Sequence, residues 1–350
     1  MDLKPILKKI IDSDASDLHM KVGTPPILRI NGELVPMEMN KLGKEDVRIA
    51  ASSLMTKKQQ EAFLKEKEAD FGIGIPGISR FRVNIYIQRG SIALAIRPIS
   101  REIKSIEELS LPTVLNELAF STRGLVLVTG TTGSGKSTTL ASIIEDINSR
   151  SKLHIITLED PIEYVFEPKE ALIDQREVGR DFVDFHEGLR RVFRQDPDVI
   201  MIGEMRDLET ISSAITAAET GHFVLATLHT QDAPGTIDRI IDIFPPYQQN
   251  QVRMQLANIL VGVCSQQLVN TVDGRRVLAA EVLVANYAVR NLIKEGRPEQ
   301  IRNVMATNTS DGMQLMEHSL AALFRKGRIN RETAYMHAFD VKDLDRFLEE

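Results

Sequence analysis

Apolar positions along this 350-residue chain recur with two different periods, and the change from one to the other divides it. Near the start, Leu3, Ile6, Leu7, Ile10 and Ile11 follow a helical period, and residues 27–35 read as two short strands joined through an Asn31-Gly32 turn. Residues 80–88 alternate strictly, with Phe81, Val83, Ile85 and Ile87 on one face and Arg80, Arg82, Asn84 and Tyr86 on the other. After Arg89-Gly90 the alternation resumes, Ile92, Leu94 and Ile96 against Ala93, Ala95 and Arg97. Residues 1–100 are therefore expected to form a small α+β domain.

Residues 101–111 are polar and charged, with prolines at 98 and 112, and read as an interdomain linker. Beyond them short apolar runs alternate with amphipathic helices. The runs at 124–129, 154–158, 199–202 and 222–230 read as buried strands. Residues 136–147, 185–193, 211–218, 237–241 and 252–263 read as helices, and Asp273-Gly274 as a hairpin turn before a strand at 277–284. The pattern predicts an α/β domain at 112–285, then a helical region at 286–350 whose core stripe is Leu315, Met316, Leu320 and Leu323.

The hairpin at Arg89-Gly90 carries a consequence for charge. Counting outward from Gln88 opposite Ser91 places Arg82 directly opposite Arg97. Like charges facing across a strand pair cost up to about 1 kcal/mol unless an anion relieves them. Arg82 and Arg97 are thus candidates for a cationic clamp on a phosphate-bearing ligand.

The strand at 124–129 ends in chemistry. Gly130-Thr131-Thr132-Gly133-Ser134-Gly135-Lys136-Ser137 matches G-x-x-x-x-G-K-[ST], and Thr138 follows as the helix begins. Glycines let the backbone approach a nucleotide's phosphates, Lys136 can reach their oxygens, and the Ser137 hydroxyl is placed to ligate Mg²⁺. Apolar strand before and helix after supply the context this motif requires, so ATP or GTP binding is the starting expectation.

Acids collect where the other strands end. Glu159, Asp160 and Glu163 follow the strand at 154–158, and Gly203-Glu204 follows that at 199–202. In an open α/β sheet these ends line the ligand crevice. Many nucleotide hydrolases have aspartate where Gly203 stands, so Glu204 either helps to hold Mg²⁺ through water or orients the attacking water. His229, at the C-terminal end of its strand, is a candidate γ-phosphate sensor. His222 starts that strand and is expected to lie away from the nucleotide.

Composition adds exclusions. A net charge of −6 gives no global attraction to nucleic acid, and none is expected as partner. The single cysteine, Cys264, rules out an internal disulfide and reads as a buried structural thiol. No apolar run approaches the ~18 residues that cross a bilayer, and the first residues lack a signal-peptide pattern. The expected compartment is the cytoplasm.

Taken together, the phosphate loop, the acidic box 159–163, Gly203-Glu204, the histidine box 220–229 and the Arg82/Arg97 pair resemble the ATPases of type II secretion and type IV pilus systems, over essentially the whole chain. Gly203 is that family's usual form. Ala288-Val289-Arg290-Asn291-Leu292-Ile293 is similar to a signature of its PilT-type retraction motors, and the chain lacks the long N-terminal extension and cysteine clip of assembly motors. The resemblance implies a PAS-like domain beside a RecA-like ATPase domain, a homohexamer, and ATP with Mg²⁺ held by Ser137 and Glu204. It implies docking on an inner-membrane pilus platform protein at the inner face of the cytoplasmic membrane, and a paralogous retraction ATPase as further partner. Glu163, Glu204, His229, Arg82 and Arg97 become the candidate catalytic set, with either glutamate open as the base. An assembly or secretion ATPase is the alternative within the family, and a RecA-like nucleic-acid translocase the alternative outside it.

Overall fold

The computed structural model describes residues 2–99 and 102–349 and divides into two units, Met1–Glu102 with Pro161–Val165, and Ile103–Asp160 with Phe166–Glu350. Ser100 and Arg101, at the start of the expected linker, lie outside the described residues. Residues 103–111 belong to the second unit, where Ile106 and Leu111 are buried.

The first unit runs α1 (Lys4–Asp12), β1 (Asp17–Lys21), β2 (Ile27–Ile30), β3 (Glu33–Pro36), α2 (Lys44–Leu54), α3 (Lys57–Glu66), β4 (Glu68–Ile75), β5 (Ser79–Gln88) and β6 (Ser91–Ile99). Its sheet is antiparallel, in the order β3-β2-β1-β6-β5-β4. Both two-residue turns stand where the pattern puts them, each with two consecutive residues at positive φ: Asn31 and Gly32, then Arg89 and Gly90. That backbone matches the twist of the strands it joins, so the turns set the register. One sheet face is apolar: Leu18, Met20, Phe81, Val83, Ile85, Leu94 and Ile96 pack with Ile6, Leu7 and Ile10 of α1, Val47 of α2 and Phe63 of α3. Ile11, grouped with the α1 stripe by sequence, is instead exposed.

The second unit continues with α4 (Val114–Leu118), β7 (Gly124–Thr129), α5 (Lys136–Arg150), β8 (His154–Glu159), β9 (Leu172–Glu177), α6 (Phe185–Val192), β10 (Val199–Ile202), α7 (Leu208–Glu219), β11 (Phe223–Leu228), α8 (Ala233–Asp242), α9 (Pro246–Ile259), β12 (Leu260–Asn270) and β13 (Arg276–Val284). Then come α10 (Tyr287–Glu295), α11 (Ile301–Thr307), α12 (Met316–Arg325), α13 (Arg331–His337) and α14 (Val341–Glu349). Seven strands lie in the order β13-β12-β7-β11-β10-β8-β9, parallel except for β13 at one edge. This is a mixed α/β fold with a parallel core. Strands β7, β10 and β11 are buried at every position, as sheets covered on both faces require.

One expectation needs correction. The helix read over 252–263 ends at Ile259, and Leu260 enters β12 beside β7 without an intervening loop. An apolar run buried on both faces carries no period that tells helix from strand, and here sheet pairing decides. Cys264, on β12, is fully buried, and burial pushes its thiol up to about 12. Arg290, in the 288–293 signature, donates to the Ala257 and Asn258 carbonyls at 2.6 and 2.8 Å, satisfying the end of α9.

A buried acid ties the start of α8 to the sheet. Glu281 of β13, 1% exposed, accepts the Ala233 N–H at the first turn of α8. Nearby, Arg302 joins fully buried Glu317 at 2.8 Å and Asp343 at 2.9 Å. Burial first, then the Asp232 and Glu317 charges, lift Glu281 from 4.5 to about 7, against the opposing pull of the Ala233 N–H and Arg302. A carboxyl raised on folding holds its proton more tightly in the folded chain, so its contribution is whole below the ordinary value and is lost as pH rises through about 7. Glu281→Gln keeps the acceptor for Ala233 and removes the buried charge. It is expected to melt well above wild type near pH ~8 and only slightly above it near pH ~5. An equal gain at both pH values, read by thermal melts, would contradict this account.

Candidate functional site

The phosphate loop is built by the end of β7 and the start of α5. Gly130 has φ +142°, and a Cβ there would come within 2.4 Å of the Gln266 carbonyl and 2.5 Å of Ser134 Oγ, so β12 packs too close for any side chain. Gly133 at φ +80° has nothing within 4 Å of a built Cβ, and Gly135 at φ +93° stands at the N-cap of α5. Because glycine offers no capping oxygen, the leading amides of this 15-residue helix receive no side-chain cap. An anion is their natural complement. Lys136 Nζ donates to the Gly130 and Thr131 carbonyls at 2.8 and 3.1 Å, which holds the ammonium over the loop. The buried Ser134 hydroxyl has no hydrogen-bond partner among the described residues. Thr131 and Thr132 are exposed, while Ser137 and Thr138 are half-buried on the first turn of α5. Beside the loop opens a cavity of about 210 Å³, walled opposite by Gln231, Gln267, Leu268, Arg276 and His337. Uncapped amides, ammonium and open cavity fit a nucleotide's phosphates.

Sheet order brings two further candidates to the same edge. Strand β11 neighbours β7, and β10 neighbours β11. The Gly130 N–H reaches the Leu228 carbonyl at 3.3 Å, just before His229. Glu204 and His229, each beyond the C-terminal end of its strand, meet with Nε2 2.8 Å from Oε1. The other carboxylate oxygen accepts from Arg206 at 2.7 Å. Burial opposes the Glu204 charge, but the Arg206 hydrogen bond, the facing His229 and the Arg206 charge outweigh it and hold the carboxyl below its ordinary value. Arg206 is the member of this cluster that sequence reasoning passed over; its only signal is its place two residues after Glu204.

Gly203 also finds its reason. A Cβ there would lie 3.2 Å from the Leu158 carbonyl and 3.4 Å from Glu159 Cα, and the Gly203 N–H donates to that carbonyl at 2.8 Å. The end of β8 leaves a Cβ there only tight backbone contacts, which a side chain would have to push back by a few tenths of an ångström. His222 lies at the opposite end of β11, packed 5.5 Å from the Phe193 ring and bonded through Nδ1 to the Ala217 carbonyl. That is the remote position expected of it.

Arg82, Arg97 and Glu163 belong to the first unit. Arg82 pairs directly with Arg97, as counting predicts. The anions that relieve this pair inside the unit are carboxylates: Asp70 is 2.7 Å from Arg82, and Asp17 is 2.9 Å from Arg97. The guanidinium-bearing side chains stay 39% and 65% exposed. Exposed pairs of this kind contribute about 0.2–1 kcal/mol, little enough for a phosphate to displace the carboxylates. Among the described residues no group of three or more His, Cys, Asp or Glu could hold a metal. A Mg²⁺ ion, which keeps waters and takes few protein ligands, would rest on the Ser137 hydroxyl and the substrate's phosphates.

The chain can now be set beside known proteins. The description type II/IV secretion system protein matches residues 1–306. The chain is 43% identical over 334 residues to the type IV pilus retraction ATPase PilT of Pseudomonas aeruginosa, covering 95% of this chain and 97% of that one. It is 39% identical over 345 residues to the type IV pilus ATPase PilU of the same organism, covering 98% and 90%. The crystal structure of the pilus retraction motor PilT with bound ADP matches with a TM-score of 0.93 at 46% identity, covering 99% of both chains.

Proposed function

The chain belongs to the type II/IV secretion system protein family, and on that premise we propose that it is an ATP-hydrolysing motor that powers retraction of type IV pili. The reading is carried by one arrangement: an intact phosphate loop with the Glu204–His229 pair at the same sheet edge, in a chain similar along nearly its full length to a pilus retraction ATPase. In the proposed cycle the α5 amides and Lys136 bind the phosphates, and Glu204, kept ionised by Arg206 and His229, orients the attacking water. His229 reports the γ-phosphate through that same bond. Magnesium, when bound, supplies charge neutralisation on the phosphates. Arg82 and Arg97 exchange their carboxylate partners for the transferring phosphoryl group and stabilise its charge, while Glu163 is a second candidate base.

The working form is a homohexamer in the cytoplasm, peripheral at the inner face of the cytoplasmic membrane and docked on a pilus platform protein. No helix among the described residues is long and apolar enough to cross a membrane. The purified chain is expected to release phosphate from ATP in the presence of Mg²⁺. A deletion strain is expected to carry surplus pili without twitching. A bald strain would instead identify an assembly motor.

A further inference from the structure

The second unit holds the base of the acidic loop in a way the motif does not reveal. The chain leaves this unit after Asp160 and re-enters it at Phe166, and the intervening Pro161–Val165 carries Glu163. One side chain spans the two ends. Gln175 of β9 donates through Nε2 to Glu159 Oε1 at 3.1 Å and accepts the Phe166 N–H on Oε1 at 2.9 Å. Register makes this possible, because Gln175 pairs with Thr157 and Glu177 with Glu159 on the neighbouring parallel strand. Thr157 Oγ1 adds a second donor to the same Glu159 oxygen at 2.6 Å, and Glu159 is only 6% exposed.

A second amide fixes the returning chain ahead of β9 to the helix of the phosphate loop. Fully buried Asn148, near the end of α5, accepts the Lys169 N–H at 3.1 Å and donates to the Glu167 carbonyl at 2.9 Å. A short loop whose two ends are tied by half-buried Gln175 and whose return is fixed by buried Asn148 has few conformations left, and preorganisation of this kind places a reacting group without ordering cost at the moment of reaction.

We propose that Gln175 is a positioning residue, clamping the two ends of the segment that carries Glu163 so that its carboxylate is delivered in one geometry. The amide is the only neutral side chain of this length that offers donor and acceptor together, and the task needs both: a donor facing a carboxylate and an acceptor facing an N–H. This inference rests on the reading of Glu163 as part of the hydrolytic machinery.

The test uses Gln175→Met in the full chain, which keeps the length and volume of the side chain and removes both hydrogen bonds. Hydrogen exchange across residues 160–167 is expected to quicken by about tenfold, with residues 130–137 unchanged. Turnover is expected to fall by about tenfold in kcat while nucleotide affinity stays within about twofold, since a displaced group costs rate and not binding. Gln175→Asn, with the same chemistry but too short to span, should behave alike and serves if the methionine variant folds poorly. Unchanged exchange at 160–167, or faster exchange with wild-type kcat, would overturn the proposal. Wild-type turnover in Glu163→Gln would instead fault the reading of the acidic segment, and the exchange data would still judge the clamp.

Discussion

Glu204→Gln is expected to bind ATP normally and to lower the single-turnover rate of hydrolysis by about 10²–10³-fold. The wild-type carboxylate accepts from Arg206 on one oxygen and faces His229 with the other, both contacts under 3 Å. An amide of the same shape has only one acceptor. Its oxygen can still accept from Arg206, its NH₂ can face His229 only where that ring nitrogen accepts, and the negative charge is lost. The phosphate loop, built separately from β7 and α5, keeps its affinity. Because its neighbours hold Glu204 below the ordinary 4.5, it stays ionised through mild acid. Any acid limb of kcat above that range must then come from another group. Rapid-quench hydrolysis with a fluorescent-nucleotide binding control decides the matter, and Glu163→Gln in the same assay apportions the base. A Glu204→Gln enzyme that cleaves at the wild-type rate would remove Glu204 from the mechanism.

Arg82→Ala and Arg97→Ala are each expected to lower kcat by about 10²–10³-fold, somewhat below the loss of a fully engaged arginine finger because the two share the load. Folding should survive, since exposed ion pairs contribute about 0.2–1 kcal/mol each. Two further variants separate catalysis from domain structure. Asp70→Asn and Asp17→Asn remove the carboxylate partners and leave both guanidinium groups in place. If the arginines act on a phosphoryl group, the aspartate variants keep their turnover. If the ion pairs matter only for the sheet, the aspartate and arginine variants lose activity together, and the clamp is refuted. Steady-state phosphate release across the four proteins gives the answer.

Much of the site was legible because its signals are local. Two-residue turns permit counting, so the Arg82–Arg97 pairing followed from the alternation on either side of Arg89-Gly90. Strand β9 was not legible. Its sequence, Leu172-Ile-Asp-Gln-Arg-Glu177, shows no apolar run because it is an edge strand with one side open. Strand β12 was hidden for the opposite reason, being apolar throughout and continuous with a helix. The carboxylates that meet the two arginines, 12 and 80 residues away, leave no local mark.

By itself the order of residues marked out a phosphate loop, since a strand, a glycine turn and Lys136-Ser137 follow one another in sequence and need only backbone geometry to build it. It also determined the alternating and helical faces from which both sheets are built. Tertiary structure alone decided which polar groups meet: Glu204 with His229 and Arg206, Gln175 with Glu159 and Phe166, Arg82 with Asp70. Most of those meetings depend on strand order and register, which pairing across the whole sheet settles and which one stretch of sequence does not contain.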